Sequence, residues 1–162
     1  MSERRDVIAR DGYRVCYLVD GGGPPVVLLP NLFQSASWFE QAGFVQALAS
    51  THHVIVVEPL GHGESDAPTD PRAYTMDACV DHVVDVVEGA GIGRACFWGY
   101  GRAADVALLV TRRRPDLAAG LVYGGLVLDD WRVDLRAEGV DIERWLEDTA
   151  SALDRGDWDA YF

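Results

Sequence analysis

The chain contains no lysine: all 14 of its basic residues are arginine, set against 26 acidic residues for a formal net charge of -12. A surface this acidic repels phosphate backbones and anionic lipid, so neither nucleic acid nor a membrane is expected as a partner. No apolar run approaches the length of about 20 residues needed to span a bilayer. The N-terminal stretch Met1–Arg10 is charged and lacks the apolar core of an export signal, so the expected location is cytoplasmic. Cysteine is scarce. Cys16, Cys79 and Cys96 lie inside apolar segments without C-x-x-C spacing, which argues against a disulfide framework or a cysteine-built metal site and suits small buried hydrophobes. No metal site and no cofactor is expected, and there is no internal repeat or low-complexity tract.

What is present suits a globular fold. The 162 residues are 49% hydrophobic, enough for one core, and the length fits one domain. Short β-branched runs alternate with helical periodicity, the pattern of an α/β fold with a mostly parallel sheet flanked by helices. Strands are expected at about Asp6–Ala9 and Tyr13–Val19, joined by the Asp11-Gly12 turn as an antiparallel hairpin. The Gly21–Pro25 break lacks the Lys-Ser or Lys-Thr of a phosphate loop and precedes a strand, so it reads as a plain connection. Pro25–Leu29 and His53–Val57 read as strands buried on both faces. A capping box at Ser37 and Glu40 predicts one helix to about Ala49. Thr75 caps a helix whose Met76, Cys79, Val80, Val83, Val84 and Val87 recur at helical spacing. A strand at Ala95–Trp98, a helix ending before Pro115 and a strand at Leu117–Tyr123 complete the series. From Leu126 the chain turns rich in acids and tryptophan, with Ile142, Trp145, Leu146, Thr149 and Leu153 at helical spacing.

The most informative stretch is Phe97-Trp98-Gly99-Tyr100-Gly101-Arg102-Ala103-Ala104. It has the small residues of a nucleophile elbow, G-x-S-x-G, in which a strand ends in one strained residue and a helix begins. Glycine stands at the nucleophile position. Gly101 tolerates the strained conformation without steric cost, so the turn is expected to survive while the reactive atom is lost.

Two further loops join the elbow in order: Leu28-Leu29-Pro30-Asn31-Leu32-Phe33, and Glu58-Pro59-Leu60-Gly61-His62-Gly63-Glu64-Ser65. With these three motifs the chain resembles the α/β-hydrolase family from about Arg5 to Gly125, in the manner of esterase- and haloperoxidase-like serine hydrolases. In that family the first loop reads L-L-H-G-x-x, the second D-x-x-G-x-G-x-S and the elbow G-Y-S-x-G-G. The resemblance implies that residues 1–125 form the N-terminal part of a hydrolase core, incomplete at its C-terminal side, and that residues 126–162 begin a helical lid. It also implies oxyanion-hole N–H donors at Leu32 and Arg102, with Asn31 and Tyr100 lining the site, and small ester or acyl substrates.

The departures bear on activity. Pro30 and Asn31 replace the usual His-Gly, and Gly101 removes the nucleophile. The family's acid and histidine follow the lid, whereas His52, His53, His62 and His82 all precede the elbow. None is expected to act as a general base. His62 fits a structural loop position, His82 the polar edge of its helix, and His52-His53 the start of a strand. Asp66 and Asp105 read as solvated or capping residues, and Arg112-Arg113-Arg114 suits a helix C-terminus. Two readings of different class stay open. One is a hydrolase for small esters, silenced on the covalent serine route by Gly101 and by a shortened chain. The other is a non-catalytic module that binds a small apolar ligand or a partner protein. A minor third reading takes Gly99-x-Gly101-x-x-Ala104 as a dinucleotide fingerprint, but no acid follows at Leu121–Gly125 to hold a ribose. The strand at Leu121–Tyr123 is left as an apolar edge, for which self-association or a partner chain is expected.

Overall fold

The computed structural model describes residues 2–32 and 34–125; the lid expected over 126–162 lies outside them. Six strands form one sheet: β1 (Glu3–Ile8), β2 (Arg14–Asp20), β3 (Pro25–Leu29), β4 (His53–Val57), β5 (Ala95–Tyr100) and β6 (Ala118–Gly124). Their order is β1-β2-β4-β3-β5-β6. β1 and β2 form the expected antiparallel hairpin and β2 joins β4 antiparallel, while β4, β3, β5 and β6 run parallel. The described helices are α1 (Ala36–Gln41), α2 (Phe44–Ala49), α3 (Met76–Gly89) and α4 (Arg102–Arg113), with a short 3-10 turn at Pro71–Tyr74.

The apolar strands explain why both faces of this sheet are covered. Successive side chains of a strand point to opposite faces, so a run such as PVVLL needs a core on each side. Val27 and Leu29 of β3, with Ile55 and Val57 of β4, join one cluster with α3 and α4 residues such as Val80, Val84, Ala107 and Val110. Val26, Leu28, Val54 and Val56 face the other way onto Ala36, Phe39 and Val45 of α1 and α2. Each such side chain removed from water contributes about 1.5–3 kcal/mol. On the α1–α2 side an aromatic group adds to this: Phe44 packs edge-on to Trp98 at 5.4 Å and stacks with Trp38 at 5.9 Å.

Three local expectations are corrected. The single helix over residues 37–49 is two helices, split where Gly43 adopts φ +79. Its N-cap is Ser35, without a side-chain cap, and the Ser37 hydroxyl instead accepts from Arg4 Nη2 on β1. His82 is not at a polar edge: it is 3% exposed, and its Nε2 lies 2.7 Å from Asp11 Oδ2 in the β1–β2 turn. By contrast, Thr75 caps α3 as expected, accepting from the Ala78 N–H.

Candidate functional site

The topology indicates where a ligand site belongs. The chain leaves β3 on one side to reach β4 through α1 and α2, then crosses through α3 to β5 on the other side of β3. In open α/β sheets the crevice forms beyond the carboxyl ends of strands at such a reversal. Here those ends are Leu29 and Tyr100, and Leu29 is the register partner of Gly99, one residue before the end of β5.

After Tyr100, the last residue of β5, Gly101 turns the chain into α4. Gly101 has φ +59 and ψ -132, a conformation that side chains resist, and its N–H donates to the Gly124 carbonyl at 2.9 Å. Gly99 is required by space, because a Cβ there would collide with the Ala103 carbonyl and the Ala104 N–H. Beyond β3 the loop is pinned through Gln34. The Asn31 N–H donates to Gln34 Oε1 at 3.0 Å, and the Gln34 N–H donates to the Asn31 carbonyl at 3.1 Å. The two loops meet at one point. A Cβ on Gly101 would lie 2.8 Å from Asn31 Nδ2 and 3.2 Å from both its Cγ and Oδ1. Asn31 Oδ1 is buried without a hydrogen-bond partner among the described residues.

The other expected site residues gather around this meeting point. Leu32 follows Asn31 in a turn and is 50% exposed, and Tyr100 is 64% exposed, its ring lying over Gly124 and Gly125. Among the described residues, neither the Leu32 nor the Arg102 N–H donates to a backbone carbonyl. The Arg102 guanidinium reaches away from Gly101 toward the Tyr74 carbonyl at 3.5 Å.

Among the described residues, no histidine or cysteine is poised as a substitute catalytic group at Gly101. His62 Nδ1 pairs with the Leu60 carbonyl, His52 Nδ1 with Thr51 Oγ1, and His82 with Asp11. Burial pushes the Cys16, Cys79 and Cys96 thiols up, with a nearby arginine opposing it at Cys16 and Cys79, so none is an activated thiolate. Burial also raises the Asp105 carboxyl in the first turn of α4, with Arg102 opposing. The described residues hold no cluster of histidine, cysteine or acidic side chains suited to a metal ion. None of their helices is long and apolar enough to cross a membrane.

One important residue could not be picked out from the motif alone. Glu58, 1% exposed, accepts from the Glu64 N–H at 2.9 Å, the Ala36 N–H at 3.2 Å and Arg4 Nη1 at 3.1 Å. It thereby ties the β4 loop, the start of α1 and β1 together. The signal for it in the sequence was an acid directly after four buried strand residues, a position where a carboxylate has to find donors.

Residues 24–155 match the profile of the family described as alpha/beta hydrolase fold. Among curated proteins, the chain is 25% identical over 116 residues to mouse epoxide hydrolase 4, covering 71% of this chain and 32% of that protein. It is 30% identical over 125 residues to 2-hydroxymuconate semialdehyde hydrolase of Pseudomonas sp. (strain CF600), covering 75% of this chain and 42% of that one. The chain thus spans well under half the length of these relatives. Among solved structures, an epoxide hydrolase from Vigna radiata superposes with TM-score 0.69 at 23% identity, over 75% of this chain and 39% of that one, a likeness of fold alone. An alpha/beta hydrolase from Novosphingobium aromaticivorans gives 0.68 at 27% identity, over 75% and 43%.

Proposed function

The chain belongs to the alpha/beta hydrolase fold family, and from that premise we propose that its crevice binds a small neutral organic molecule without forming a covalent intermediate. One observation carries this reading: at the turn between β5 and α4, where the resemblance puts a nucleophile, stands a glycine at which a Cβ would come within 2.8 Å of the Asn31 carboxamide nitrogen. Covalent catalysis needs a nucleophile with a base in hydrogen-bond reach. Among the described residues neither is found at Gly101.

The neighbouring groups support binding. Leu32 and Tyr100 offer apolar surface beside the turn, and the Leu32 and Arg102 N–H groups donate to no backbone carbonyl among the described residues, as is required of donors for a ligand oxygen. The ester or acyl type expected from the sequence and the names of the relatives agree on small organic substrates, of which the epoxide hydrolase and semialdehyde hydrolase are two kinds.

The test is hydrolysis of p-nitrophenyl butyrate, followed from the first turnover, by the chain as it stands and by Gly101→Ser. The unaltered chain is expected to show no burst and no turnover above that of the Gly101→Ala variant. Gly101→Ser regains a hydroxyl but no base, and is expected to remain about 10²–10⁴-fold below an enzyme with a positioned base. A stoichiometric burst from the unaltered chain would overturn the proposal.

A further inference from the structure

Two loops converge on Gly101, and neither is free to yield. A Cβ on this residue would lie 2.8 Å from Asn31 Nδ2 and 3.2 Å from both its Cγ and its Oδ1. All three distances fall inside the roughly 3.5–4.0 Å of a comfortable contact between heavy atoms. Together they decide how the clash could be relieved. Turning the carboxamide about its terminal torsion only exchanges Nδ2 with Oδ1, because Cγ lies on the axis of that rotation and stays at 3.2 Å. Relief therefore needs the whole side chain to leave for another staggered well about its first torsion, or the backbone beneath it to move.

The backbone is held on each side. Gln34 accepts from the Asn31 N–H and donates its own N–H to the Asn31 carbonyl. The Gly101 N–H donates to the Gly124 carbonyl, and the Gly101 carbonyl accepts from the Ala104 N–H, each at 2.9 Å. Asn31 Oδ1 is buried, so the carboxamide does not lie loosely in solvent. A side chain at position 101 thus meets two separate penalties. One is the backbone, at φ +59 and ψ -132, which any residue with a Cβ resists. The other is Asn31.

We propose that Asn31 is a second barrier to covalent chemistry in this site: it bars a side chain from position 101, so that a nucleophile fits there only once the carboxamide is shortened. The loss of the nucleophile is then written in two residues, and changing Gly101 alone does not undo it. The barrier belongs to the two loops and holds whether or not a ligand occupies the crevice.

The test is a double-mutant cycle on the whole chain, followed by urea denaturation, with Gly101→Ser, Asn31→Ala and the two together. The strained backbone penalises serine equally in both backgrounds and cancels from the cycle, leaving the contact with Asn31. Gly101→Ser is expected to lower the folding equilibrium constant about 5–100-fold more in the chain with Asn31 than in the chain with Asn31→Ala, the range for overpacking by one group. A Gly101→Ser chain that folds only together with Asn31→Ala is the same result in its extreme form. The same cycle with Gly101→Ala, which adds the Cβ alone, should show coupling of the same sign. Additive effects in either cycle would overturn the barrier, since the carboxamide would then swing aside freely. They would leave the binding function standing, because no ligand enters the measurement. Failure of every position-101 variant to fold in both backgrounds would also overturn the barrier, as something other than Asn31 would then exclude the side chain.

Discussion

At the scale of single residues, this site turns on two glycines and two side chains that face them or support them. Gly99→Ala would push a methyl into the backbone at Ala103 and Ala104, and overpacking of this kind costs about 1–3 kcal/mol. Urea denaturation should register that loss, and an unchanged midpoint would mean that α4 can slide away from β5. Glu58→Ala would strip the partner from two backbone N–H groups and remove one of the partners of Arg4, with an expected loss of about 3 kcal/mol in the same measurement. A loss below about 1 kcal/mol would show that water takes over the carboxylate's bonds. The glycine at 101 was legible as a letter, because a G-x-G-x-A turn between an apolar run and a helix has few other uses. The approach of Asn31 to it was not. That contact joins loops 70 residues apart in sequence, and it depends on a side-chain conformation that no periodicity encodes.

At the scale of elements, the strands read well because β-branched runs such as HVIVV leave little choice, and β4 spans His53–Val57 as the pattern requires. The first helical segment read less well. Its apolar residues continue through Phe44 and Val45, so the break shows only as a single glycine, Gly43, whose αL backbone redirects the chain. The hairpin turn is fastened to α3 by charges as well as by the apolar packing of Ala9 and Val7. Arg10 grips Asp85 through its backbone N–H at 2.8 Å and its guanidinium at 2.6 Å, next to the His82–Asp11 pair. Burial pushes the Asp85 carboxyl up, but the bonds from the Arg10 side chain and backbone outweigh it and hold the group below the usual carboxylate range. A lowered folded value means stability that is present above the unfolded value, near 3.9, and is lost as the pH falls through the folded one. Wild type should therefore exceed Asp85→Asn in urea midpoint near neutral pH and lose that advantage progressively as the pH falls below the ordinary aspartate range. An advantage independent of pH would show that Asp85 acts through packing alone.

At the scale of the whole molecule, alternation of strands and helices was enough to give a mostly parallel sheet covered on both faces, and the order of three loops was enough to give the family. Topology then adds what composition cannot, namely that β3 sits between β4 and β5, so that its loop and the turn at Gly101 face each other. Within the described residues β6 is the last strand of the sheet, with Val122 and Tyr123 exposed along it. Edges of this kind pair with another chain unless they are covered. Light scattering over a range of concentrations is expected to show a mass rising above that of one chain, and a constant monomer mass would count against an open edge. The most direct test of a site that binds without covalent chemistry is the intact mass of the protein after incubation with p-nitrophenyl butyrate. An unchanged mass is the expected result, and a butyryl adduct on the unaltered chain would contradict it by revealing a nucleophile other than the residue missing at Gly101.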